Sequence, residues 1–573
     1  MALLVLISPL YILNNSFFIE RDCLAQMLRS GNYLKTRLYR RWLSSDSTPY
    51  KLTCGLEVHT QLHTENKLFS LSKNDAFESL ANPNFHTSYF DIALPGTQPK
   101  LNYSVVLFAL KLALSLDCDV NLNSQFDRKH YFYGDQPQGY QITQHYSPFA
   151  KGGFMKLYKD LDGIKTKEKV INLIQLQIEQ DTGRSTYFHG LEGSKTRKTL
   201  IDLNRSNVPL IELVTQPDFH DTDEVRAFIK KYQNLVRQLK ISTGDLETGS
   251  IRVDVNVSVD EHPRVELKNL PNTSSIINAI KFEHKRQADV LKSINGDKEK
   301  LEEIGVETRT WDGSKTLCSR SKESAIDYRY VMDPELPCVT LHPSILNAVK
   351  QLLPKSADEE IKELMEKPHS LSMKDAKILV IQNELSTLYN NEQLRKYYLE
   401  TFQEYCTIVT GENSRPKTVI NWVLHEFLGD LKKLDIPLEK VSTTILKPRK
   451  FAEFLKLVHD GKLSNATGKL LLFHILENFK ESNYEMKDEL NFEKLIEEYG
   501  VGTIEKFDPL TLDNECLQII NELNNPAMIE GIVSGKKKNS IKFLIGLGMR
   551  KFRGRIKPQE LEEAFKRVLH IKW

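Results

Sequence analysis

A chain of 573 residues that is 40% hydrophobic and 27% charged reads as a soluble globular protein of two to four domains, which excludes a disordered polymer. A net charge of +2 excludes nucleic-acid binding through overall charge, so any such binding must come from a local patch. Seven scattered cysteines with no C-x-x-C pair exclude a zinc ribbon and fit a reducing compartment, each thiol reading as a small core side chain.

The first residues, MALLVLISPLYIL, are apolar but shorter than the roughly 20 residues that span a bilayer, so no membrane span is expected. From Met27 the chain reads MLRSGNYLKTRLYRRWLSS, with Arg29, Lys35, Arg37, Arg40 and Arg41 and no acid. That composition predicts a mitochondrial transit peptide over residues 1–47, ending near Ser44 to Ser47, and hence a matrix location. Met27 is an alternative start.

Residues 51–343 carry short alternating segments separated by Gly, Pro, Asn and Asp clusters, such as ANPN at 81–84 and YGDQPQGY at 133–140. Helices are predicted at Ser104 to Leu116, at Thr222 to Leu239 with Asp221 or Thr222 as cap, and at Ser275 to Ile294. This is a mixed α+β domain. Beyond Pro343 the period becomes helical, at Ile345 to Leu353, Asp358 to Met365, Met373 to Asn383 and Asn391 to Val409. A linker, GENSRPK at 411–417, divides a helical domain (344–412) from a helical tail (418–573), with helices at Asn421 to Leu431, Arg449 to His459 and Glu560 to Val568.

Four segments of the first domain place charges on alternate residues, and a strand turns such residues to one face. They are Glu57 with His59, Glu179 with Asp181, the series Arg252, Asp254, Asn256 and Ser258, and the series Arg264, Glu266 and Lys268. Taken singly each is an amphipathic strand with a wet face. Together, Glu57, Glu179, Asp254 and Glu266 supply hard oxygen ligands and His59 a nitrogen, an inventory that suits Mg²⁺ beside nucleotide phosphates. Arg252 and Lys268 would neutralise phosphate charge, and Lys129 and Arg205 join them as candidate cofactor-binding cations.

Between Ile201 and Pro217 the run IDLNRSNVPLIELVTQP sets Glu212 among apolar residues, where a carboxylate needs a partner. Two loops mix basic and aromatic residues: FDRKHYFYGDQPQGYQITQ at 126–144, and Ser324 to Pro337, read as a strand through Tyr328, Arg329 and Tyr330 ending in a rigid turn. Basic and aromatic residues together suit stacking on a base with contact to phosphate, or equally an aromatic core strand. No G-x-x-x-x-G-K-[ST] occurs, so an ATP site would not be a P-loop, and no amidase nucleophile loop is visible. Gly531 to Pro558 holds Lys536, Lys537, Lys538, Arg550, Lys551 and Arg553 without one acid, a candidate phosphate-backbone surface.

The 201–217 run, GLEVHTQLHTENKLFS (55–70), the 126–144 loop, IEQDTGRS (178–185), ETGSIRVDVNVSV (247–259), VELKNLPN (265–272) and DYRY (327–330) occur in one order. In that order they resemble the GatB/GatE family, the B subunits of tRNA-dependent amidotransferases. The resemblance covers nearly all of 51–573 and implies a cradle-shaped mixed sheet-and-helix domain, an all-α domain and a YqeY-like helical tail. It further implies that the cradle uses ATP and Mg²⁺ to phosphorylate the γ-carboxylate of glutamate on Glu-tRNA(Gln), after which ammonia displaces the phosphate. Glu57, His59, Glu179, Asp254 and Glu266 become candidate catalytic residues, the first four as metal ligands. The implied partners are a GatA-like amidase that supplies ammonia, a small third subunit and the tRNA held by the tail. Gly134 and Gln138 depart from the family's frequent Pro and Lys. A non-catalytic RNA-binding scaffold, and an enzyme acting also on Asp-tRNA, stay open as alternatives.

Overall fold

The computed structural model describes residues 50–571 except 76–81, 190–196, 295–296, 321–326, 382–387, 410–415, 485–489, 499–507, 524, 534–539, 553–555 and 557. The expected transit peptide and Cys23 therefore lie outside the described residues. No helix among the described residues is long and apolar enough to cross a membrane.

The first domain is built on a ten-stranded sheet. From one edge its strands run Thr316–Arg320, Glu307–Trp311, Val265–Lys268, Ile251–Val259, Leu52–Gln61, Pro209–Thr215, Glu168–Gln180, Ala150–Lys151 and Asp119–Val120, while Phe154–Tyr158 also pairs with Glu168–Gln180. All of these pairings are antiparallel except Val265–Lys268 with Glu307–Trp311. The two faces differ because the sequence alternates. In Ile251–Val259 the odd-numbered residues Ile251 to Val259 are buried, and the even-numbered polar residues are half-buried on the other side.

The three expected helices cover the apolar face. Tyr103–Ser115 starts where the Asn102 side chain accepts from the Ser104 amide, and Thr222–Gln238 where Asp221 accepts from Asp223. Thr273–Ile294 is the third. Thr60 on the first strand meets the Tyr232 hydroxyl at 2.8 Å, and the Gln287 amide donates to the Val257 carbonyl. One continuous core, from Leu52 to Val349, fills this side.

The rest is helical around two further cores, Ile361 to Phe492 and Leu512 to Phe565. Helices from both sides of 411–417, where the sequence predicts a linker, share the second core: Tyr397 stacks on Phe427 at 5.3 Å, and Phe427 meets Phe451 at 5.1 Å. The helix expected at Asn421 to Leu431 is interrupted by a π-helical stretch, Trp422–Phe427. Gly468 admits the Trp422 ring, since a Cβ there would lie 2.9 Å from it. Cys54, Cys118 and Cys516 are buried as expected of core thiols, but Cys318 and Cys338 are exposed, because they sit on an edge strand and in a loop.

Around 324–337 the expectation is also corrected. The strand pairing falls at Val331–Met332, and Tyr328 to Tyr330 are irregular, with Arg329 at φ +41°. The His130 amide and Nδ1 hold the carbonyls of Tyr328 (2.8 Å) and Arg329 (2.9 Å), which fixes this bend against the Asp127–His130 strand.

Glu283, on the helix behind the sheet, gives a pH test of this packing. Its fully buried carboxylate accepts from Arg286 (2.6 Å), Gln287 (2.9 Å) and Thr316 (2.9 Å). Burial raises its pKa, but the hydrogen bond and charge of Arg286 outweigh burial and hold it below the ordinary value. A depressed carboxylate stabilises the fold fully above its unfolded pKa, and that contribution is lost as pH falls through the folded value. Glu283→Gln is expected to cost about 2 kcal/mol at pH 7. In urea unfolding, its deficit relative to the unsubstituted protein should shrink as the pH is lowered below about 4.

Candidate active site

Register decides which polar side chains meet. Along the first strand, Glu57 pairs with Asp254 and Val214, and His59 pairs with Arg252 and Glu212. Glu212 in turn pairs with Gln177, and Glu179 lies opposite Leu210. On the far side Asn256 pairs with Glu266. The acidic and basic residues of five strands thus share one face of the sheet.

Their side chains touch. His59 Nδ1 lies 3.0 Å from Glu179 Oε1, and the Thr143 hydroxyl lies 3.4 Å from Glu179 Oε2. The Gln177 amide donates to Glu212, and the Asn256 amide donates to Glu57 at 2.8 Å. Lys268 Nζ sits between Asp254 (2.7 Å) and Glu266 (3.0 Å). Beside them Asp181 is buried and receives Arg252 at 2.9 Å and the Gln61 amide at 3.0 Å.

Two overlapping groups offer ligand atoms that all lie within 4.8 Å of one another: Glu57, His59 and Asp254, and His59, Glu179 and Glu212. Carboxylates with one imidazole fit a hard divalent cation. The carboxylates crowd one another, and a bound cation would take the place of the proton they hold on His59. Burial and then the charge of Glu179 push the Glu212 carboxyl up to about 7. Burial would discharge His59, but the hydrogen bond and charge of Glu179, with Glu212 behind it, outweigh it and raise the imidazole to about 9. Burial would also raise Glu179, but His59 holds it below the ordinary range. A positive charge among these carboxylates relieves repulsion that the fold itself imposes.

The expected catalytic and metal-ligating residues Glu57, His59, Glu179 and Asp254 therefore come together, with Glu266 one step outward through Lys268. The expected cofactor-binding cations do not stand alike. Lys268 is held by its two carboxylates, which overcome burial and raise its pKa. Arg252 is paired with Asp181. The Arg205 guanidinium donates to the carbonyls of Thr182 (2.9 Å) and Gly183 (2.7 Å) and lies 3.8 Å from Asp181, so it braces the turn after the Glu168–Gln180 strand. Lys129 rides 4.6 Å over the Tyr328 ring and is among the charges that lower Glu179 and Glu212.

Glu212, Gln177, Asp181, Asn256 and Gln61 were not among the expected site residues. Glu212 was legible as a carboxylate in need of a partner; the neutral amides carry no such signal. At the other end of the chain, Lys536, Lys537, Lys538 and Arg553 lie outside the described residues. Arg550 and Lys551 end the helix Ile541–Lys551, and Lys551 reaches Glu515 at 2.8 Å.

Comparison with known proteins bears on this geometry. Residues 52–347 match the family described as the GatB/GatE catalytic domain, and residues 400–569 the family described as the GatB domain. Relatives of the whole chain are named as mitochondrial B subunits of glutamyl-tRNA(Gln) amidotransferase. The Saccharomyces cerevisiae S288c protein is 56% identical over 524 residues, covering 91% of this chain and 95% of that protein. The Zygosaccharomyces rouxii protein is 54% identical over 550 residues (94% and 100%), and the Eremothecium gossypii protein 55% over 525 residues (91% and 96%). The sheet that gathers the acid–histidine cluster lies within the matched catalytic domain, and the likeness to relatives covers 91% of the chain, so the chain belongs to the GatB/GatE family.

Proposed function

We propose that this chain is the tRNA-amidating subunit of a mitochondrial glutamyl-tRNA(Gln) amidotransferase, a carbon–nitrogen ligase that uses ATP and acts with partner subunits. In the reaction, a γ-carboxylate oxygen of tRNA-bound glutamate attacks the γ-phosphorus of ATP and ADP leaves. Ammonia then attacks the acyl carbon, phosphate leaves with the bonding electrons, and the nitrogen sheds a proton. The observation that carries this reading is the convergence of Glu57, His59, Glu179, Glu212 and Asp254 on one polar sheet face.

Phosphoryl transfer needs positioning and charge compensation more than covalent chemistry from the protein. Glu57, His59, Glu179 and Asp254 would hold Mg²⁺, whose contribution is to offset phosphate charge. Lys129 and Lys268 flank the cluster with positive charge, and Asn256 and Gln177 fix the rotamers of Glu57 and Glu212. Ammonia would come from a GatA-like amidase, and a small third subunit would complete the assembly. Residues 1–47 would direct import to the matrix and 51–343 would form the catalytic cradle; because the helices of 344–412 share a core with those that follow 418, the tRNA-binding part of 418–573 would be the separate helical unit around Leu512 to Phe565.

The test is co-expression with the amidase partner, followed by an assay for Gln-tRNA(Gln) from Glu-tRNA(Gln) with and without ATP. Product that forms without ATP, or no product at all, rejects the reading. The tail has its own test. The triple substitution Lys536→Glu, Lys537→Glu and Lys538→Glu is expected to weaken Glu-tRNA binding by about tenfold or more and to lower the slope of log K against log salt by about 2. Filter binding across a salt series measures both.

A further inference from the structure

Above the acid cluster, the hairpin Asp127–His130 and Tyr140–Thr143 pairs with Val331–Met332 and gathers a set of rings. His145 and Tyr330 lie face to face, with centroids 3.9 Å apart and planes 11° from parallel. Tyr328 stands edge-on to Tyr330 at 6.2 Å, with Lys129 over it. Tyr330 is half-buried, whereas His145 is exposed. The outer end of the stack is therefore a wet imidazole backed by a fixed ring.

We propose that the His145–Tyr330 pair is a stacking platform for an adenine ring, seating one substrate's purine while its reacting end meets the acid cluster. This rests on the amidation reading, in which both substrates carry adenine: ATP itself and the 3′-terminal adenosine that bears the glutamate.

Three observations support it. The platform is adjacent to the chemistry: His145 is two residues from Thr143, whose hydroxyl is 3.4 Å from Glu179, and burial with the charge of Glu212 pushes the Tyr330 phenol up to about 12. It is held rigidly, since Asp127 accepts from the Tyr146 amide (2.9 Å), the Tyr146 hydroxyl reaches the Tyr330 carbonyl (3.3 Å), and Arg128 binds Asp333 (2.7 Å). Its backbone is strained, because Arg329, between the two tyrosines, takes a left-handed conformation that a non-glycine residue adopts at a cost. Stacking between a base and an aromatic side chain repays such preorganisation and tolerates a nearby lysine that meets phosphate.

The test uses the assembled complex and the fluorescent adenine analogue 2-aminopurine, whose emission is quenched on stacking. One arm carries it as the riboside triphosphate, the other as the terminal nucleoside of the tRNA. Quenching on binding is expected in one arm, identifying the source of the purine. Tyr330→Ala and His145→Ala should abolish the quench and weaken that ligand's binding about tenfold. Tyr330→Phe should keep both, because the ring and not the hydroxyl matters. Binding without a quench in both arms, or a quench that survives both alanine substitutions, overturns the proposal. The reading on which it rests is judged separately, by ATP-dependent Gln-tRNA formation in the unsubstituted complex, which these fluorescence measurements do not require.

Discussion

Glu179→Gln in the assembled enzyme is expected to lower ATP-dependent amidation by about 10²- to 10³-fold while leaving the fold intact. Glutamine keeps the length and one acceptor oxygen, so the contact to His59 Nδ1 at 3.0 Å can persist as a neutral hydrogen bond. What disappears is the charge. Glu179 holds the His59 imidazole at about 9 and is the neighbouring charge that most raises Glu212, which sits at about 7. Its removal should discharge His59 near neutrality, while Glu212 stays raised by burial and loses both the Glu179 charge that raises it and the His59 charge that lowers it. A single neutral substitution thus removes the charge of two groups at once, and single-turnover rates with saturating ATP and Glu-tRNA would register it. An unchanged melting temperature would assign the loss to chemistry. Full activity in Glu179→Gln and in Glu57→Ala would instead favour a non-catalytic scaffold.

Asp91→Ala is expected to destabilise the first domain by about 3–5 kcal/mol, the largest effect on stability among these substitutions. Asp91 and Lys67 form an ion pair at 3.3 Å with both side chains wholly removed from solvent. Asp91 also accepts from the Ser70 hydroxyl (3.2 Å), the Ser88 amide (2.8 Å) and the Asn207 amide group (2.9 Å), and Lys67 donates to the Leu203 carbonyl. Burial already pulls the Lys67 pKa down in spite of Asp91. Without the carboxylate, Lys67 must be buried as an unpaired ammonium or give up its proton. Adding Lys67→Met should recover part of the loss in urea unfolding, but not the bonds to Ser88 and Asn207. Because Asn207 and Leu203 belong to the turn that leads into the Pro209–Thr215 strand, activity should fall with stability.

Much of this was legible because alternation is a local property. Ile251 to Val259 announces two faces in nine letters, and the register honours it residue by residue. That Glu57, Glu179 and Asp254 meet was not legible in any one segment: strand partners are chosen by packing, and both neighbours of Leu52–Gln61 lie more than a hundred residues further along the chain. The amides of Gln177 and Asn256 were missed for the same reason, since a glutamine or asparagine on a strand gains a role only from what stands opposite. Arg205 looked like a phosphate ligand because charge is all a sequence displays, whereas three-dimensional placement commits it to two backbone carbonyls. The strand read at Tyr328 to Tyr330 slipped to Val331–Met332 because His130 captures two carbonyls from that stretch, a contact spanning some two hundred positions.

The strand Leu52–Gln61 opens the first domain yet lies in the interior of its sheet, between Pro209–Thr215 and Ile251–Val259. As the polypeptide leaves a ribosome or a translocation pore, this segment has no sheet neighbour until Pro209–Thr215 emerges, and its second edge stays open until Ile251–Val259 follows. Such delayed closure makes for slow maturation and a long interval in which sticky edges are open to wrong neighbours. Newly made protein should accordingly depend on holding chaperones, and fragments that stop short of Lys268 should be insoluble and not merely inactive.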